Sequence, residues 1–157
     1  IGGLMLFVPE GLPPTAGHAG STGRKPGERT PMNMLIAVAL GGAVGAVTRH
    51  EVNRLMGQWL GTGFPWGTLT VNLLGCFLIG VLVEGLALKF AASPELRGFL
   101  VTGFLGALTT FSAFSLDVAV LSGRGAFGPA FLYAGISVIG CLAAVFLAMY
   151  LTRQVLS

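Results

Sequence analysis

Four stretches of this chain carry no charge at all: Met34–Thr48, Gly67–Val83, Gly98–Leu116 and Gly125–Thr152. A helix that crosses a bilayer needs about 20 largely apolar residues, and each stretch reaches that length once its flanks are added. Four transmembrane helices are predicted, at roughly 33–56, 66–90, 95–121 and 127–153. Only 10% of the residues are charged and the mean hydropathy is +0.82, whereas soluble domains carry about a quarter charged residues. Too few charges are available to coat a water-facing surface, so the lipid bilayer is the expected solvent.

The connections hold turn chemistry: Gly57, Gly61, Gly63 and Pro65, then Ser93-Pro94, then Gly123, Gly125, Gly128 and Pro129. All are short, so consecutive helices should run antiparallel within a single unit over 32–157. Trp59, Trp66 and Tyr150 fall at the predicted membrane interfaces, where amphipathic rings are favoured. Residues 1–31 hold five prolines with Gly, Ser and Thr, the composition of a disordered leader. The chain does not begin with Met, and Met32-Asn33-Met34 directly precedes the first apolar run, so the native start is expected there.

Several function classes drop out. A net charge of +3 forms no basic stripe, which argues against nucleic acid. Cys76 and Cys141 both sit inside apolar runs and read as small buried hydrophobes. With His18 and His50 the only histidines, no transition-metal cluster is predicted. An enzyme would need a nucleophile with its base, or a metal constellation, and none is visible.

In lipid, helices associate through small residues that let backbones approach. Gly41 with Gly45, Gly75 with Gly80, Gly103 with Ala107, and Gly135 with Gly140 supply them. Orientation follows Lys and Arg in short loops. Lys89, Arg97 and Arg153 lie on one side and Arg49, Arg54 and Arg124 on the other, three against three. Arg24, Lys25 and Arg29 of the leader would make it six against three. Without the leader no orientation is preferred, which predicts an antiparallel, dual-topology homodimer about an axis in the membrane plane.

The third span contains Gly103-Phe104-Leu105-Gly106-Ala107-Leu108-Thr109-Thr110-Phe111-Ser112-Ala113-Phe114-Ser115. Glycine is permissive and threonine loses rotamer freedom in a helix, so a mid-membrane break is expected around 106–110. Unpaired backbone at that depth is tolerated where it is buried in protein or faces water or an ion. Freed carbonyls suit a hard cation, while the hydroxyls of Thr110, Ser112 and Ser115 suit a small anion; the alternative is that these hydroxyls bond back one turn. Phe111 and Phe114 share a helix face, and an aromatic ring edge is positive enough to favour an anion; packing in the core or against lipid is the alternative. Asn72 carries two N–H donors into the second span, for an anion or for another helix. Arg49 either snorkels to the interface or lines a cationic vestibule. Glu84 and Asp117, near predicted helix ends, are expected to snorkel to water.

Three ordered signatures, Gly41-Gly42-x-x-Gly45-Ala46-x-x-Arg49, Gly67-Thr68-Leu69-x-Val71-Asn72-x-x-Gly75 and Gly103-Phe104-x-Gly106-x-x-Thr109-Thr110-Phe111-Ser112-x-Phe114, resemble the Fluc or CrcB family of fluoride channels. The resemblance covers about 34–153. It implies a dual-topology homodimer in the bacterial inner membrane that exports fluoride. It further implies that Asn72, Phe111 and Phe114 line the fluoride path, with Ser112, Thr110, Tyr133 and Ser137 as polar contacts and Arg49 near the vestibule. Carbonyls of Gly106 and Thr109 from both subunits would hold a structural sodium ion. Cys141 stands where many relatives have a hydroxyl, and Ala107 where glycine is common. The other four-helix, dual-topology class, the small multidrug exporters, relies on a carboxylate embedded in the first helix. Met34–Thr48 has none, and Glu51 falls near that helix's end.

Overall fold

The computed structural model describes residues 31–88 and 92–156. Residues 1–30 of the predicted leader and Lys89 therefore lie outside the described residues, while Pro31, its last residue, begins the first helix. Every regular element among them is helical: α1 (Pro31–Leu60), α2 (Trp66–Leu88), α3 (Pro94–Arg97), a π-wound stretch (Gly98–Leu105), α4 (Gly106–Leu108), α5 (Phe111–Gly123) and α6 (Phe127–Leu156). Four spans are long and apolar enough to cross a membrane: Met32–Leu60, Trp66–Leu88, Pro94–Gly123 and Phe127–Leu156. The first and last extend beyond the predicted bounds, because the helices continue past the apolar runs into polar flanks.

The ends are set locally. Gly61 and Gly125 adopt left-handed backbone, with φ of 79° and 75°, which closes the turns after α1 and α5. At the second turn, Ala126 N–H reaches the Leu121 carbonyl and Gly125 N–H the Ser122 carbonyl, satisfying the orphan end of α5. Ser93 caps α3 by accepting from Leu96 N–H at 3.1 Å, and Pro94 occupies the first helical turn.

Packing joins α2 to α6 and α1 to the π-wound stretch, with α1–α2 and α5–α6 contacts closing the bundle. Glycine governs the closest approaches. A Cβ on Gly41 would run into the Phe99 carbonyl, one on Gly45 into the Phe104 carbonyl, and one on Gly80 into the Val145 carbonyl. The predicted helix-packing role holds there, but Gly135 faces open space. Gly45→Ala should therefore destabilise the fold by about 1–3 kcal/mol. Gly57→Ala, where only the Thr62 methyl lies near, should be neutral or stabilising, because alanine is the better helix former. Thermal melts of the detergent-solubilised protein read the difference.

Two buried clusters flank α2. Leu69, Leu121, Ala130 and Tyr133 form one; Val71, Leu105 and Leu108 form the other. Asn72 and Cys76, four residues apart, share the strip of α2 between them.

Glu84 corrects an expectation. It does not snorkel: α2 continues past it to Leu88, and the residue is 4% exposed. Arg153 Nε, reaching over from α6, bonds Glu84 Oε1 at 2.7 Å. Removing the guanidinium would leave a buried carboxylate alone, so Arg153→Ala should destabilise the fold, with Glu84→Gln milder. Denaturant or thermal titration of both variants checks the order.

Candidate functional site

In the third span, Thr109 (φ −85°, ψ 153°) and Thr110 (φ −156°, ψ 120°) are extended. Two extended residues misalign the helical ladder, and their polar groups need other partners. Asn72 supplies them from α2. Its Nδ2 donates to the Thr110 carbonyl at 3.1 Å, and its Oδ1 accepts from Thr110 N–H at 2.8 Å. This double bond fixes the amide's orientation and spends one of its two N–H donors, leaving the second for a ligand.

The same diversion frees two carbonyls. In a continuous helix Gly106 C=O would accept from Thr110 N–H, but that donor goes to Asn72. Thr109 C=O would accept from Ala113 N–H, which instead bonds Thr110 Oγ1 at 3.1 Å as the cap of α5. Both oxygens have lost their helical donors, and uncharged oxygens of this kind suit a hard monovalent cation. Gly106 is itself helical and exposed.

Beside the extended pair lies a groove of about 290 Å³ lined by Asn72, Cys76, Thr109, Thr110, Phe111, Phe114, Ser137, Val138 and Cys141. It thus gathers α2, the extended pair, the start of α5, and α6. Its wall continues as a run of aromatic rings in tilted and edge-to-face contact. Phe111 and Phe114 have centroids 5.4 Å apart, Phe114 and Tyr133 5.4 Å, Tyr133 and Phe64 5.5 Å, and Phe64 and Trp66 4.6 Å. Tyr133 is fully buried, and its hydroxyl donates to Asp117 Oδ2 at 3.1 Å. Asp117, expected to snorkel, is thus held by α6.

The hydroxyls divide into two groups. Thr109, Ser115 and Ser122 bond back to carbonyls one turn earlier, so Ser115 is spent on Phe111 C=O. Thr110 Oγ1 accepts from Ala113 N–H and lies 3.1 Å from Ser112 Oγ, forming a short hydroxyl chain at the mouth of α5. Ser137 Oγ is buried, lines the groove and has no hydrogen-bond partner among the described residues. A buried hydroxyl without a partner is costly, and a polar ligand in the groove would satisfy it.

Of the predicted site residues, Asn72, Thr109, Thr110, Phe111, Phe114 and Ser137 meet at this groove. Ser112 touches Thr110, and Tyr133 stands behind Phe114. Arg49 and Gly106 do not line it. Sequence reasoning missed Cys76 and Phe64. The four-residue spacing of Cys76 from Asn72 on α2 was the available signal for the first.

Four apolar spans, with extended backbone in the third and a polar groove beside it, define a multi-pass membrane protein. Residues 36–149 match the family described as CrcB-like protein, Camphor Resistance (CrcB), and the chain belongs to that family. It is 53% identical over 125 residues to a protein of Chelativorans sp. (strain BNC1) named Fluoride-specific ion channel FluC, covering 80% of this chain and 100% of the relative. Proteins of the same name from Rhodospirillum centenum and Hyphomonas neptunium are 48% and 47% identical. Those matches cover 78% and 79% of this chain, and 97% and 98% of the relatives.

Proposed function

We propose that this chain is a fluoride-selective channel of the bacterial inner membrane, working as an antiparallel, dual-topology homodimer that lets cytoplasmic fluoride leave down its electrochemical gradient. The observation that carries this reading is the Asn72–Thr110 double hydrogen bond. It pairs the backbone of the extended Thr110 and leaves Asn72, which lines the groove, a second N–H to offer a ligand. The names of the relatives supply the ion.

A small anion entering the groove meets the remaining Asn72 N–H, the Thr110–Ser112 hydroxyl pair and the unpartnered Ser137 hydroxyl. Phe111 and Phe114 offer ring edges while their bulk excludes water. The N-terminus of α5, with its partial positive charge, begins at Phe111. Arg49 is half-buried on α1 and contributes positive charge at a vestibule. The balanced loop charges and Phe111, 77% exposed in a single chain, support a second copy.

Carbonyls of Gly106 and Thr109, one set from each subunit, would hold a structural sodium ion on the two-fold axis. Sodium would supply positive charge that cements the pairing. The residues fit such an ion, since both oxygens have lost their helical donors. Replacing sodium by a large organic cation throughout purification should then dissociate the dimer or abolish flux, read by size-exclusion chromatography and efflux.

Efflux from liposomes containing the purified protein, followed with a fluoride electrode and with chloride as the control, tests the main reading. Fluoride should leave and chloride should stay; equal passage of both would sink the selectivity. Cysteine labelling of the short loops that found every chain facing one way would overturn the antiparallel arrangement.

A further inference from the structure

The thiols of Cys76 and Cys141 have no role in the path described above, yet both line the groove. Helices α2 and α6 lie side by side in the same direction. Gly140 abuts the Leu73 side chain, and Gly80 abuts Val145 and Ala148. Between these two registers Cys76 on α2 falls beside Cys141 on α6, and both line the same groove. Both are free, and they are the only two cysteines of the chain. Cys76 lies one helical turn beyond Asn72, and Cys141 one turn beyond Ser137, so the pair forms the next rung along the same groove.

We propose that Cys76 and Cys141 form a two-thiol site that takes one soft, two-coordinate metal ion of the Cu(I), Ag(I) or Hg(II) class, seated across the groove. Sulfur donors select soft ions. Zinc would want four ligands, and among the described residues no group of three or more His, Cys, Asp or Glu side chains surrounds the pair. Val138 and Phe114 wall the groove with apolar surface, and the oxygens of Asn72 and Ser137, one turn away, are hard donors that compete poorly for a soft ion. On binding, each thiol releases its proton to water, the metal gives up two water or chloride ligands as two metal–sulfur bonds form, and no electron is transferred. With Hg(II) the resulting bis-thiolate is neutral, which suits a groove inside a bilayer.

Mercuric chloride titrated into the purified, detergent-solubilised full chain tests the site, with residual thiols and bound metal measured per chain. One mercuric ion per chain should bind, with both thiols lost together. C76S and C141S should each bind about a hundredfold more weakly, because the second sulfur no longer adds its effective concentration. The thiol-free double variant should bind none. Two ions per chain, with the thiols lost independently, would overturn the proposal, as would undiminished binding by the double variant.

Only the consequence for conduction rests on the channel reading: a metal rung across the groove should stop fluoride efflux, and excess free thiol should restore it. Metal bound without loss of flux would overturn that consequence. Absence of flux before any metal is added would overturn the channel reading and leave the stoichiometry standing.

Discussion

Asn72→Ala should reduce fluoride efflux at least tenfold while leaving the protein helical and dimeric. The substitution strands the N–H and C=O of Thr110, which Asn72 holds at 2.8 and 3.1 Å. Leaving such groups unsatisfied costs about 1–3 kcal/mol, and each 1.4 kcal/mol is a factor of about ten in an equilibrium. The chain can recover part of that cost by returning Thr110 N–H to the Gly106 carbonyl. Doing so straightens the third span, withdraws a carbonyl from the proposed cation and removes the spare N–H from the groove. Efflux assays with circular dichroism and size-exclusion chromatography on the same sample separate these effects from misfolding. Undiminished efflux would move the ion path elsewhere.

Phe111→Ile should also abolish most of the flux, for a different reason. Phe111 is 77% exposed in the single chain and makes one ring contact, with Phe114 at 5.4 Å. Isoleucine keeps bulk and hydrophobicity but has no positive ring edge, so a barrier to the anion remains and its attraction is lost. Stability should change little, because few packed neighbours depend on the ring. Phe114 is the contrasting position, packed against Tyr133 and the buried cluster around Leu69, so there loss of flux and loss of stability should come together. If Phe111→Ile conducts as the parent does, the ring edge has no part in selecting the ion.

The four spans were legible because a run without charge leaves a chain few options in lipid. The third span's glycines and threonines likewise marked a segment poor in helix preference. What could not be read were pairings set by tertiary approach. Asn72 and Thr110 are 38 residues apart, and Glu84 and Arg153 are 69 apart. Sequence placed Asn72 in the site without saying that half of its hydrogen-bonding capacity is structural. It put Glu84 near a helix end, as the hydrophobic pattern fades there; only the arrival of α6 explains how a carboxylate is kept under cover. Cys76 was read as a plain hydrophobe because its neighbours are apolar, and its opposite number lies on another helix.

The Asn72 amide stands in for a missing peptide group. It presents Thr110 with one acceptor and one donor, as a neighbouring strand would, so a single rung of sheet-like bonding is lodged within a helical bundle. That rung lies between rigid helices and forms when they pack. If the groove is the ion path proposed above, an arriving ion would find the extended backbone and the cap of α5 already in place, with no helix to unwind. Its passage is then governed by how readily it exchanges water for fixed donors, a cost that depends on the ion far more than on the protein.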